Sequence, residues 1–215
     1  MHLHRNTVSD LLWDSLTTLM ALKEFDPFRL VGGTALSLQQ GHRKSVDIDL
    51  FTDKEYGSVD FGQLDEVLKQ TFPYVQSPIA GEIAFGTSYF IGENQDKAIK
   101  LDLFYTDPFA FPLLDVMNIR LASTREIAAM KLEVIANGGR KKDFWDLHEL
   151  LDVYTIEEMF GFYKTRNPYG ATTQELLAAC LNHSLADEDF TPNCYRNKAW
   201  ELIKLDLVEQ VEKLS

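Results

Sequence analysis

The chain has 215 residues, of which 45% are hydrophobic and 25% are charged, proportions typical of a globular protein with a buried core. They exclude a disordered tail, a collagen-like repeat and a disulfide-framed mini-protein. With 21 Lys and Arg residues against 33 Asp and Glu residues, the formal net charge is −12, so bulk attraction to duplex DNA is not expected.

Two cysteines, Cys180 and Cys194, are too few for a disulfide framework and indicate a reducing compartment. No segment approaches the roughly 18 continuous apolar residues of a membrane span. The first six residues lack the apolar run of a signal peptide. We therefore expect a cytoplasmic protein with no membrane partner.

Hydrophobic periodicity and turn residues predict alternating helices and strands in the first half of the chain. Pro27 and Pro73 each end a predicted helix, and the segment from Val46 to Thr52 alternates apolar and polar residues as a strand does. The predicted elements are a helix at 9–24, a strand at 28–31, helix at 34–40, strand at 46–52, helix at 60–72, strands at 83–91 and 98–105, and an extended segment at 113–121.

The second half has helical periodicity throughout, with predicted helices near 123–137, 141–153, 155–166, 172–185 and 196–213. This change of character predicts an α+β fold, in which a mixed sheet with flanking helices is followed by a C-terminal helical bundle. We expect a catalytic domain at 1–121 and a helical domain at 122–215.

Two acidic residues on the predicted strand at 46–52 suggest a metal site. Asp47 and Asp49 are two residues apart, so both side chains project from the same face of a strand. Two neighbouring carboxylates repel each other unless a cation lies between them, and Mg²⁺ or Mn²⁺ prefers such oxygen ligands. The alternative is an exposed strand face on which both carboxylates are simply solvated.

A glycine pair precedes the predicted helix at 34–40. Gly32 and Gly33 would let the backbone approach a phosphate closely, and the first amides of the helix, with the hydroxyl of Thr34, would face that anion. A tight turn without a ligand is the alternative. The order strand, Gly-Gly, helix, strand with two Asp residues is more specific, because it places a triphosphate site beside a metal pair.

Asp102 lies among apolar residues on the predicted strand at 98–105 and would supply a third carboxylate. Metal ions held by three carboxylates can stabilise the attacking and leaving oxygens of an in-line phosphoryl transfer. A solvated aspartate on an edge strand is the alternative.

Two charged residues interrupt apolar helix faces in the second half. Lys131 lies in line with Ile127 and Ile135, which is costly unless its ammonium group reaches a site or water. Asp143 stands at the start of the next helix, where it could be a first-turn charge that favours the helix dipole. If both helices pack against the cleft, Lys131 and Asp143 would face each other.

Together these motifs resemble the AbiEii/AbiGii family of nucleotidyltransferase toxins, within the DNA polymerase β-like nucleotidyltransferase superfamily. The resemblance covers roughly residues 30 to 150. The segments that carry it are 32–36, 42–51, the strand around Asp102, 128–132 and 141–147. The resemblance implies a nucleotidyltransferase-like sheet and transfer of a nucleoside monophosphate from an NTP to an acceptor hydroxyl, with a divalent metal.

The resemblance also implies roles for particular residues. Asp47, Asp49 and Asp102 match the metal-binding carboxylates, Lys131 matches the lysine that contacts the triphosphate, and Asp143 matches the acidic residue of the later motif. These five are the expected catalytic residues. The expected nucleotide-binding residues are Gly32, Gly33, Thr34, Arg43, Ser45 and Lys131.

The resemblance further implies that the acceptor can be tRNA and that a separate antitoxin protein restrains the enzyme. Two alternatives remain from the sequence. One is nucleotidyl transfer to a small hydroxylated molecule such as an aminoglycoside. The other is a nucleotide-binding module that keeps the metal pair and transfers nothing.

Overall fold

The computed structural model describes residues 2–77 and 85–214, and within these ranges seven strands form one mixed sheet in the order β3-β4-β5-β2-β1-β7-β6. The strands are β1 (Arg29–Leu30), β2 (Asp47–Thr52), β3 (Tyr74–Gln76), β4 (Gly86–Asn94), β5 (Lys97–Tyr105), β6 (Leu114–Val116) and β7 (Ile119–Leu121). The α-helices are α1 (Asp10–Ala21), α2 (Gly32–Gln40), α3 (Phe61–Thr71), α4 (Thr124–Ala136), α5 (Lys141–Leu150), α6 (Ile156–Arg166), α7 (Thr173–Leu181), α8 (Ser184–Asp187) and α9 (Trp200–Glu212).

The middle of the sheet is built around β2, which runs parallel to β5 and antiparallel to β1. Apolar and polar residues alternate along both β2 and β5. Ile48 and Leu50 of β2 and Leu101 and Leu103 of β5 are completely buried in the core. Because side chains alternate between the two faces of a strand, the aspartates between these residues project from the opposite face.

The predicted α+β class is confirmed, and most predicted elements lie within a few residues of the observed ones. The extended segment predicted at 113–121 is instead a hairpin of β6 and β7, because Met117 and Asn118 adopt positive φ and reverse the chain. Strand β3 was not predicted, and the helix predicted at 172–185 is divided into α7 and α8. The strand predicted at 83–91 begins outside the described residues. The division into domains at 121/122 stays a prediction.

Helix α4 joins the sheet to the helical half of the chain. Its first turn is capped by Ser123, whose hydroxyl accepts a hydrogen bond from the amide of Glu126. Its apolar face is buried against neighbouring helices, with Ile127 and Leu132 completely inaccessible to solvent. Among the described residues there is no helix with the length and apolarity of a membrane span.

Candidate active site

Three carboxylates share one face of the sheet at the middle of the molecule. Asp49 on β2 is in register with Asp102 on β5, and Asp47 stands two residues before Asp49 on the same strand. Asp49 lines a cleft of about 1190 Å³ between the sheet and the helices α4 and α5. Asp47 and Asp102 lie beside it on the sheet, outside the lining of that cleft.

The charge on Asp49 is poorly compensated. Burial, followed by the charges of Asp102 and Asp47, raises the pKa of its carboxyl to about 6, although Lys131 and Lys142 act in the opposite direction. Burial is the larger cause of this raised pKa, and the two lysines do not cancel the combined effect of burial and the two neighbouring acids.

Asp102 is already engaged by its neighbours. The hydroxyl of Ser88 donates to its Oδ1 at 2.5 Å, and Nζ of Lys100 donates to its Oδ2 at 2.7 Å. Lys100 stands opposite Asp47 in the register of β2 and β5, so one ammonium group lies among the three carboxylates. Within residues 2–77 and 85–214, no set of three or more Asp, Glu, His or Cys side chains is arranged as a preformed metal site.

The remaining pair fits a hard divalent cation. Across the described part of the chain, no hydrogen bond or ion pair occupies the carboxylate oxygens of Asp47 or Asp49. Both side chains offer oxygen donors only, as Mg²⁺ and Mn²⁺ prefer, and a cation there would offset the burial and the carboxylate repulsion that together raise the pKa of Asp49.

The two glycines hold the first turn of α2 against this pair. Gly32 opens the helix with a φ of +65°, and a methyl group there would lie 2.7 Å from Oδ2 of Asp49. A methyl group at Gly33 would collide with the guanidinium of Arg43. The backbone is fixed nearby, because the amide of Val31 donates to the carbonyl of Asp49 at 2.9 Å. Val31 provides no side-chain cap, so the first amides of α2 are left to face an anion in the cleft.

The hydroxyl groups in this motif point inward. Oγ1 of Thr34 lies 2.8 Å from Oγ of Ser45 and donates to the carbonyl of Asp47. Both residues are buried, so they fasten α2 to the start of β2 instead of lining the cleft.

A buried network of charges lies under the first turn of α5, and Asp146 is its centre. This aspartate is completely inaccessible to solvent and binds three cationic or potentially cationic groups. Arg43 donates to it from Nε at 2.6 Å and from Nη2 at 2.7 Å, and Nε2 of His42 lies 2.8 Å away. Nζ of Lys131 lies 2.7 Å from Asp146 and 2.6 Å from Asp143.

The pairing in this network fixes its charges. Burial alone would raise the pKa of Asp146, but Arg43 and Lys131 outweigh it and hold that pKa well below the ordinary value. Burial alone would lower the pKa of Lys131, but Asp146 and Asp143 leave it raised. Lys131 and Asp143 face each other, in the arrangement expected if both helices pack on the cleft.

The structure separates the predicted site residues into two layers. In contact with the cleft are Gly32, Gly33, Asp49, Lys131 and Asp143. Beneath it are Thr34, Ser45 and Arg43, and Arg43 is only 4% exposed because its guanidinium is held by Asp146.

Three residues of the site were not among the predicted site residues: Asp146, Lys100 and Lys142. The spacing of Asp143 and Asp146, three residues apart on one helix face, was a usable signal for Asp146. Lys142 lines the cleft, and it has no side-chain hydrogen bond or ion pair within the described ranges. The neighbouring Arg140, in contrast, is paired with Asp189 at 2.8 Å.

Comparison with known families identifies the chain. Residues 14–213 match the model of the nucleotidyl transferase AbiEii toxin family, a type IV toxin–antitoxin system. The chain therefore belongs to the AbiEii family, as its motifs suggested, and the enzyme class expected from the sequence is the class of that family.

The individual proteins that the chain resembles share a third or less of its sequence. The uncharacterized protein aq_aa25 of Aquifex aeolicus is 31% identical over 147 residues, a match covering 64% of this chain and 64% of that protein. MenT4, a nucleotidyltransferase toxin of Mycobacterium tuberculosis, aligns with a TM-score of 0.58 at 14% identity, over 93% of this chain and 80% of that one. A provisionally assigned nucleotidyltransferase of H. pylori aligns with a TM-score of 0.55 at 21% identity, over 96% of this chain and 95% of that one. These two likenesses show a shared fold.

Proposed function

We propose that this AbiEii-family protein transfers a nucleoside monophosphate from an NTP to an acceptor hydroxyl, with Mg²⁺ or Mn²⁺ held by Asp47 and Asp49 and the site completed by Asp102. The observation that carries the proposal is the placement of this carboxylate pair beside the uncapped first turn of α2. We further propose that the protein is the toxin of a toxin–antitoxin pair, acting in the cytoplasm on RNA such as tRNA and restrained by an antitoxin protein.

In this proposal each layer of the site has a separate task. The first amides of α2 and the ammonium group of Lys142 bind the triphosphate. A divalent cation held by Asp47 and Asp49 would supply positive charge to the phosphate oxygens and lower the barrier to in-line displacement. Arg43 and Asp146 beneath them, with Lys131 at the wall of the cleft, hold α2, α4 and α5 together, so that the donors keep their orientation.

The reaction forms a bond between the acceptor oxygen and the α-phosphorus and breaks the bond from that phosphorus to the β-phosphate oxygen, so pyrophosphate leaves. The acceptor hydroxyl loses its proton to a carboxylate oxygen. Asp49 is better placed for this than Asp102, because it opens to the cleft while both oxygens of Asp102 already accept hydrogen bonds.

A labelled-transfer assay tests the proposal. The purified protein is incubated with each [α-³²P]NTP in turn, with Mg²⁺ or Mn²⁺, and with a total tRNA fraction as acceptor. Label should enter the RNA with the wild type and with Asp115→Asn, an exposed strand aspartate outside the cleft, but not with Asp49→Asn. Absence of transfer with all four NTPs and both metals would contradict the proposal.

Growth measurements test the toxin role. Induced expression of the wild type should arrest bacterial growth, and Asp49→Ala should relieve the arrest while Asp115→Ala does not. Equal toxicity of the wild type and Asp49→Ala would remove nucleotidyl transfer as the cause.

A further inference from the structure

Three aromatic side chains line one end of the cleft, and we call them the aromatic platform: Tyr56, Phe85 and Tyr105. The ring of Tyr56 lies 5.5 Å from that of Phe85 and 5.4 Å from that of Tyr105. Tyr56 is 60% exposed and Phe85 is 71% exposed, so two large apolar side chains in mutual contact face solvent inside a cleft. An exposed aromatic surface of this kind is typical of a ligand site.

The platform is held in place by the sheet. The hydroxyl of Tyr105 accepts a hydrogen bond from the amide of Val59 at 2.7 Å, and its ring also contacts Phe61 at 5.8 Å. The loop that carries Tyr56 follows β2 directly. At the usual rise of a strand, the four steps along the chain from Asp49 to Asp53 span about 13 Å. The sugar and phosphates of one nucleotide can bridge a separation of this order.

The charges around the platform select against a phosphate. Three carboxylates that line the cleft are close in sequence to the platform tyrosines: Asp53 and Glu55 near Tyr56, and Asp107 near Tyr105. Lys54 lies among them and the charge of Arg29 acts on Asp53, so the carboxylates outnumber these two cations. A phosphodiester backbone or a triphosphate would be repelled here, whereas an uncharged heterocyclic base would not.

A cation lies near Asp49 in the same cleft. Lys142 lines the cleft with no hydrogen bond or ion pair to a carboxylate among the described residues, and its charge acts on Asp49, which contacts Gly32 at the start of α2. A ligand with an anionic end and an aromatic end therefore fits the cleft in one direction only.

We propose that the aromatic platform binds the base of the incoming NTP by stacking, with the triphosphate directed toward Lys142 and the first turn of α2. Base stacking on aromatic side chains tolerates any base, because every base has a π-face. This inference rests on the proposed function for the identity of the ligand as an NTP, and its test requires binding alone, without transfer.

The experiment measures the dissociation constants of the four α,β-methylene nucleoside triphosphates by calorimetry in Mg²⁺ buffer, with inorganic tripolyphosphate as the second probe. Tyr56→Ala should weaken binding of the tightest analogue roughly tenfold, while Tyr56→Trp should stay close to the wild type. Affinity for tripolyphosphate should be the same in all three proteins. Tyr169→Ala is the matched control, because Tyr169 is fully exposed and lies outside this cleft.

Three results would overturn the inference. They are an unchanged affinity of Tyr56→Ala for every analogue, an equal loss for analogue and tripolyphosphate, and a raised KM for RNA with unchanged analogue binding. The last would assign the platform to a base of the acceptor. A wild type that binds the analogues but transfers no label refutes the proposed function and leaves the stacking inference standing.

Discussion

Gly32 and Asp49 are in contact across the boundary between α2 and β2, and a single added methyl group would lie 2.7 Å from Oδ2 of the aspartate. Gly32 also has a φ of +65°, which side-chain-bearing residues rarely adopt. This glycine is therefore required both by its backbone conformation and by the carboxylate beside it. The sequence by itself predicts only the close approach of a phosphate at this position.

Gly32→Ala should lower nucleotidyl transfer about 100-fold, because displacement of a reactive group by an ångström can cost that much. Gly57→Ala is the matched control, since Gly57 has a φ of +82° and nothing within 4 Å of the added carbon. Both variants should lose about 1 kcal/mol of unfolding free energy from backbone strain. Equal transfer activity in the two variants would show that contact with Asp49 is unimportant.

Asp49 should make the metal-free protein less stable as the pH rises. Its pKa is raised to about 6 in the fold, so the folded state loses stability as the carboxyl ionises between pH 4 and 7. In EDTA, the free energy of unfolding of the wild type relative to Asp49→Asn should fall over this range, by about 1.4 kcal/mol for each unit of the pKa shift. Denaturant titrations at several pH values measure it. A difference in unfolding free energy between the two proteins that stays constant with pH would contradict the raised pKa of Asp49.

Lys100 should limit how strongly the site binds a cation without nucleotide. Its ammonium group donates to Asp102 at 2.7 Å and stands opposite Asp47. Lys100→Met removes this positive charge, so affinity for Mn²⁺ should rise about tenfold, as measured by electron paramagnetic resonance.

Lys97→Met is the control for this measurement, because Lys97 lies on the same strand and pairs with Glu93 at an exposed position. Weaker Mn²⁺ binding in Lys100→Met would instead show that the lysine positions Asp102 for the metal.

Lys142 should contribute to triphosphate affinity. It lines the cleft, where its charge acts on Asp49, and within the described ranges its ammonium group makes no hydrogen bond or ion pair. Lys142→Met should weaken binding of tripolyphosphate and of an NTP analogue to the same extent, roughly tenfold. Lys23→Met, at an exposed position on the surface, should change neither. Loss for the analogue alone would place Lys142 near the base or sugar.

Asp146 should be the most costly single side chain to remove. Asp146→Ala leaves Arg43 and Lys131 buried with reduced compensation, so the free energy of unfolding should fall by about 3 to 5 kcal/mol. Asp152→Ala, an exposed control, should change it by less than about 0.5 kcal/mol. If Asp146→Ala lost no more unfolding free energy than Asp152→Ala, the stabilising role of the buried network would be contradicted.

The same aspartate predicts acid sensitivity. Because its pKa is lowered in the fold, the stability it contributes is present above the ordinary aspartate pKa of 3.8 and is lost as the pH falls further.

The sequence determined the local arrangement of the site. Alternation along the strand placed Asp47 and Asp49 on one face, and helical spacing placed Lys131 and Asp143 on faces that could meet. The same motifs indicated the family, and the match of residues 14–213 to the family model confirms it. These features are short-range, so the geometry of single strands and helices was enough to predict them.

Only the tertiary structure decided which charges are partners. Lys100 and Asp102 belong to one strand, but their relation to Asp47 and Asp49 depends on the parallel register of β2 with β5. The bond from Arg43 to Asp146 joins residues 103 positions apart, and it buries a guanidinium that the sequence assigned to nucleotide binding. Such contacts arise from how elements pack, and the periodicity of one element carries no information about its neighbour.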